Sequence, residues 1–215
     1  MKKKFLIILL VFGIIFIISA GLGGFLLWEN WPATWSREPP ILEFPLENPN
    51  VIHILGGYGP TPWMTFHPGI DFGVNSSVNI IASCNLLVTY IKTWLYATDP
   101  DRWQTSVGFN INWQYSLEIA FESCAFNETF ANLQRDEIPL TVRQIIPQGL
   151  ILGKLLYHGS GAHIHFMLKK SSNSICPYLY FSDSAKILFD ELWAKYGASG
   201  VICGDNTTLC SFNYY

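Results

Sequence analysis

The segments HPGID at 67–71 and AHIHF at 162–166 stand nearly a hundred positions apart and hold three of the five histidines in the chain. A fold that gathers them must lay two distant stretches side by side, which constrains the topology more than any other feature. Pro68 and Gly69 argue against a helical pairing of His67 with Asp71. An extended strand entry suits the segment better, with Gly69 letting the backbone pass close to its neighbours. Alternate residues of a strand share a face. His163 and His165 therefore project together, while Ile164 and Phe166 face the opposite layer. Side by side, the two segments offer three imidazoles and a carboxylate, the donor set of a catalytic Zn²⁺ site with one base to spare. On the residues alone, the ligands are His67, Asp71 and one of the paired histidines. Water takes the open fourth position, and the other histidine stands beside it.

Around these segments the chain reads as short strands. Val51 to Leu55 is one, ended by Gly56 and Gly57. In 106–113, Phe109, Ile111 and Trp113 alternate with Asn110 and Asn112. In 115–122, Leu117, Ile119 and Phe121 oppose Glu118 and Glu122. This patterning predicts a mainly β fold, an antiparallel sheet with one buried face. Glu118 and Glu122 read as solvated strand-face residues, and 98–105 as a turn or loop. At 182–196 the period changes to that of a helix. Ser182 is its N-cap, Gly197 its stop, and Ile187, Leu188, Leu192, Trp193 and Tyr196 its apolar stripe. It should pack on the sheet edge or outer face.

HPGIDFGV followed by AHIHF resembles the LytM/lysostaphin-type zinc endopeptidases, the M23 peptidases, whose members carry HxxxD and HxH. HILGGYGP at 53–60 resembles the strand and glycine turn before HxxxD, and IASCNLLVTYIKTW at 81–94 the strand pair after it. VRQIIPQGLILGKLLYHGSGAHIHF at 142–166 resembles the closing segment. The likeness covers roughly 51–170, in the family's order, and the ordered set is more specific than any one motif. It implies an antiparallel sheet core of the M23/LytM type, sandwich- or barrel-like. It also implies His67, Asp71 and His165 as metal ligands and His163 as a catalytic histidine.

The family's second catalytic histidine falls in a Y-x-H-L segment about thirty residues before HxH. FANLQ at 130–134 occupies that place here, with Asn132 as the matching residue. Asparagine can donate a hydrogen bond to an oxyanion but cannot shuttle a proton near neutral pH. His158, in the turn before HxH, is a substitute or an exposed turn histidine, and His53 is structural or a surface residue. The resemblance implies a zinc metalloendopeptidase acting outside the cytoplasm on cross-links of cell-wall or surface peptides. The alternative it leaves is a catalytically silent domain that binds or regulates a partner.

At 215 residues the chain is one domain with appendages. Residues 5–28 are uncharged and apolar, follow Lys2, Lys3 and Lys4, and are long enough to span a bilayer as a helix. The lysines hold the cytoplasmic side, so the remainder lies outside; a cleaved signal segment is the alternative. Residues 29–50 read as a proline-rich spacer, 51–170 as the peptidase-like domain and 171–215 as a C-terminal extension. Beyond the three lysines, ten basic side chains face sixteen acidic ones, a balance that argues against nucleic acid as a partner. The partner implied is a peptide or peptidoglycan-like substrate. Trp63, Trp94, Trp103 and Trp113 fall in or beside loops that flank the site, with core packing the default for each. Of the five cysteines, Cys203 and Cys210 form the most natural local pair, and Cys84, Cys124 and Cys176 stay unassigned.

Overall fold

The alternating segments do pair into a sheet. In a computed structural model that describes residues 36–61, 64–95, 102–198 and 201–204, the strands are β1 Ile52–Gly56, β2 Gly59–Thr61, β3 Met64–His67, β4 Ile70–Val74, β5 Val78–Ile81 and β6 Leu86–Leu95. They continue as β7 Trp103–Asn110, β8 Tyr115–Ala125, β9 Ile145–Ile146, β10 Ile151–Leu155, β11 His163–Lys170 and β12 Asn173–Ile175. The main sheet runs β1-β4-β11-β8-β7-β6-β9, with β12 also paired to β11. Every pairing in it is antiparallel. The hairpin β2–β3 and the antiparallel pair β5–β10, formed by strands distant in sequence, add two small sheets. The apolar segment 5–28 lies outside the described residues. Among the described residues, no helix is long and apolar enough to cross a membrane.

One face of the sheet makes the core. Ile164, Phe166 and Leu168 of β11 are buried beside Leu117, Ile119 and Phe121 of β8 and Ile70 and Phe72 of β4. The opposite residues on those strands, His163, His165, Asp71, Glu118 and Glu122, are therefore delivered to the other face. The Phe109/Ile111/Trp113 alternation extends past the end of β7 at Asn110. There the Asn112 carboxamide accepts from the backbone N–H groups of Gln114 and Tyr115, both at 3.0 Å, and folds the chain into β8. The expected loop at 98–105 gives way to strand from Trp103 onward.

Two helices flank the sheet. α1, Glu128–Asp136, is capped by Asn127 Oδ1, which accepts from Phe130 N at 3.0 Å. Buried Gln134 ties it to the chain around β10, donating to Lys154 O and accepting from Leu156 N, each at 2.9 Å. α2, Asp183–Tyr196, starts at Ser182 as its sequence indicates and packs on edge strand β1. Its buried stripe is Ala185, Phe189 and Leu192, not a stripe through Ile187, which is 63% exposed. Helical spacing i, i+4, i+7 selects Phe189 for the core, and its ring meets Phe72 edge-on at 5.9 Å.

Two expectations need correction. The second half of the spacer belongs to the domain. Leu42, Phe44 and Leu46 are buried, Leu42 exchanges backbone hydrogen bonds with Tyr180 and Ser182, and Ile81 N donates to Pro45 O. The prolines remove N–H groups but leave an apolar alternation that enters the core. The disulfide of Cys203 is with Cys176, at a Cα–Cα distance of 5.8 Å, rather than with Cys210, which lies outside the described residues. The pairing follows from backbone bonds that carry the tail back to Tyr58: Tyr58 N donates to Ile202 O, and Gly204 N to Tyr58 O. Cys84 and Cys124 are free thiols.

Candidate functional site

Strand register assembles the site. His165 of β11 stands opposite Asp71 of β4 and opposite Ala120 of β8. His163 stands opposite Gly73 on one side and Glu122 on the other. Directly opposite residues in antiparallel strands share a face and touch. His67 arrives from the end of β3, and the turn through Pro68 and Gly69 carries the chain into β4 beneath it. A side chain at Gly69 would sit 2.7 Å from Phe166 O and within 2.9 Å of the His165 ring, so glycine is required for this close approach.

Three of the donors converge. Asp71 Oδ1 lies 2.8 Å from His165 Nδ1 and 3.1 Å from His67 Nε2, and the two nitrogens are 3.0 Å apart. His67 is buried and points its Nδ1 at Gly57 O, 2.6 Å away. A carbonyl only accepts, so Nδ1 carries the hydrogen and Nε2 turns a lone pair to the cluster. His67 Nε2, His165 Nδ1 and Asp71 Oδ1 thus share room for a single hydrogen, supplied by His165 Nδ1. Three atoms that can each bind a metal, with one hydrogen among them, make a poor hydrogen-bond network and a good cation site. Two imidazole nitrogens and one carboxylate oxygen, the first nitrogen oriented by a backbone carbonyl, fit zinc by donor chemistry.

Electrostatics keep the Asp71 carboxylate ionised. Burial acts to raise the Asp71 carboxyl, but the surrounding His163, His165 and His67 outweigh it and hold the group well below the ordinary carboxylate range. Burial likewise opposes charge on His67, and the Asp71 carboxylate and Gly57 carbonyl overcome it and raise its pKa.

His163 stands apart from this trio. Its Nδ1 donates to Gly161 O at 2.7 Å, and its Nε2 faces Glu122 Oε2 at 3.4 Å and Asp71 Oδ1 at 3.9 Å. The four residues line a groove of about 500 Å³, together with Trp94, Arg102, Gln104 and Glu118. A smaller cavity of about 200 Å³ continues past His163, between Arg102, Ser160 and Ile54.

The sequence expectations meet this geometry unevenly. His67, Asp71, His165 and His163 come together. Asn132 does not join them: it is exposed on α1 and is not among the residues lining the groove. Glu118 and Glu122 are not solvated face residues, since both side chains are about one-fifth exposed, at 21% and 19%. Glu118 pairs with Lys169 at 2.7 Å. Trp94 reaches the groove, Trp113 is exposed at the β7–β8 turn, and Trp63 lies outside the described residues. His158 packs against Phe130 of α1 at a tilt of 59°, with ring centroids 4.6 Å apart, and burial lowers its pKa. The alternation in 115–122 puts Glu122 on the strand face opposite Phe121, and pairing with β11 sets it beside His163.

Fold and site together describe an antiparallel β protein with a His₂Asp donor set and a third histidine in one groove. Several solved structures are similar to it. A Pseudomonas aeruginosa M23 peptidase is 17% identical, with a TM-score of 0.47, over 76% of this chain and 60% of that one. Csd3 of Helicobacter pylori is 21% identical, with a TM-score of 0.47, over 71% of this chain and 38% of that one. The catalytic domain of lysostaphin from Staphylococcus simulans is 18% identical, with a TM-score of 0.45, over 60% of this chain and 91% of that one. The chain thus spans only part of the first two proteins. No protein-family model matches the sequence, and no curated protein does.

Proposed function

We propose that this chain is a zinc metalloendopeptidase of the M23 type, with His67, Asp71 and His165 as ligands and His163 beside the open side of the metal. The observation that carries the reading is the convergence of His67 Nε2, Asp71 Oδ1 and His165 Nδ1 within about 3 Å of one another, next to His163 in an open groove. When bound, Zn²⁺ supplies Lewis-acid polarisation of a peptide carbonyl and eases ionisation of water near neutral pH. His163, fixed through its Nδ1 by Gly161 O, presents Nε2 to hold or move a proton. The groove walls exclude part of the bulk water and give an extended peptide room to lie across β11 and β8.

The same reading takes a peptide or peptidoglycan-like cross-link as substrate. Lys2–Lys4 and the apolar run 5–28 support a membrane anchor with the domain outside the cytoplasm. The alternative is a silent binding module: Asn132 lies outside the groove, and among the described residues the groove is lined by no histidine besides the ligand pair and His163.

The test is zinc content of the purified full chain beside His67→Ala/Asp71→Ala, followed by hydrolysis of pentaglycine and D-alanyl cross-linked peptides. Stoichiometric zinc in the parent only, with turnover that His163→Ala abolishes, is the expected result. A folded parent that takes up no zinc sinks the reading.

A further inference from the structure

We infer that Glu122 is the second proton-transfer residue of this groove, acting with His163; the inference rests on the peptidase reading above. Antiparallel register places Glu122 of β8 directly opposite His163 of β11. The Glu122 carboxylate turns toward the imidazole, with Oε2 3.4 Å from Nε2, and lines the groove that holds the metal-ligand set. The partner atom is settled by the far side of the ring. His163 Nδ1 is spent on Gly161 O, so Nε2 is the only ring nitrogen that faces the groove. The other carboxylate on this face, Glu118, is engaged by Lys169 at 2.7 Å and sits two same-face positions further along β8, opposite Met167. Of the two glutamates on this face, Glu122 is therefore the one aimed at His163.

A carboxylate does here what an asparagine cannot, because it accepts a proton and returns it. In peptide hydrolysis the water oxygen forms a bond to the carbonyl carbon, and its proton passes to the Glu122 carboxylate. The C–N bond then breaks, and the amine leaves with a proton from the Glu122–His163 pair. The second water proton stays on the new carboxyl group or passes to solvent. Water is the only co-reactant. Asn132, out on α1, takes no part.

The experiment uses the zinc-loaded full chain as wild type, Glu122→Gln, Glu122→Asp and Asn132→Ala, with the two cross-linked peptides named above. Glu122→Gln keeps its zinc and loses ~10²–10⁴-fold in kcat/KM. Glu122→Asp retains part of the activity, and Asn132→Ala behaves as wild type. A second readout needs no turnover: the His163 ring resonances in nuclear magnetic resonance spectra move in Glu122→Gln and stay in place in Asn132→Ala. Wild-type rates in Glu122→Gln, or unmoved His163 resonances, overturn the inference and leave the peptidase reading standing. A zinc-replete wild type that turns over neither peptide overturns both, even where the His163 resonances shift.

Discussion

His67 Nδ1 lies 2.6 Å from the carbonyl oxygen of Gly57, and this bond turns Nε2 toward Asp71 and His165. A backbone acceptor holding the remote nitrogen of an imidazole fixes both tautomer and ring orientation. Separate substitutions should therefore divide the four site residues by role. His67→Ala, Asp71→Ala and His165→Ala each reduce zinc content after dialysis to trace levels, measured by elemental analysis. His163→Ala keeps its zinc and loses turnover.

Gly69→Ala tests the close approach beneath the histidines. The added methyl meets Phe166 O at 2.7 Å and the His165 ring at 2.8–2.9 Å. The backbone cannot give way cheaply, so the ring must. A loss of about 1–3 kcal/mol in stability is expected, with a larger proportional loss in zinc affinity than in thermal midpoint. Calorimetry and a zinc competition assay read the two effects.

Phe189→Ala and Ile187→Ala separate the real helix stripe from the one the sequence suggests. Phe189 is fully buried against Phe72, and its truncation should cost ~3–5 kcal/mol in urea unfolding. Ile187 faces solvent, and its truncation should stay within about 0.5 kcal/mol.

Cys84 gives a pH prediction. Burial pushes its thiol up to about 12. The unfolded thiol ionises near its ordinary value of about 8.5, so the folded state holds more protons than the unfolded state between those limits. Stability contributed by neutral Cys84 is complete below about pH 8.5 and is lost as pH climbs toward 12. Cys84→Ala should flatten that part of the stability curve. In native protein at pH 8, iodoacetamide should label the half-buried Cys124 well before Cys84.

Reduction of the Cys176–Cys203 bond, or Cys176→Ala/Cys203→Ala, should lower stability by about 3 kcal/mol for a closed loop of 27 residues. Differential scanning calorimetry with and without reductant checks it.

The strand faces were legible in the sequence because they depend on period-two alternation, whereas the choice of His165 over His163 as a ligand is what the family resemblance implies. His163 and His165 share a face for the same local reason that Ile164 and Phe166 enter the core. Glu122 was misread because its neighbour is set by pairing across strands, which no spacing along the chain reports. Counting about thirty positions back from HxH landed on Asn132. The stretch it crossed contains α1, which lies between β8 and the strand leading to β11, so the residue facing His163 is ten positions earlier. The same distinction explains Cys203. Cys210 is near in sequence, but the backbone bonds to Tyr58 bring Cys203 to Cys176. Leu42 and Phe44 were hidden by prolines that mark a linker by composition while the residues between them keep a strand's alternation.

The bonds from Tyr58 to residues 202 and 204 also matter for anyone shortening this protein. Trimming just past α2 looks harmless, because the helix ends at Tyr196 and all four site residues lie well before it. Such a cut would remove the main-chain clasp on Tyr58, whose preceding carbonyl, that of Gly57, orients His67. The minimal unit for biochemistry therefore extends at least through Gly204.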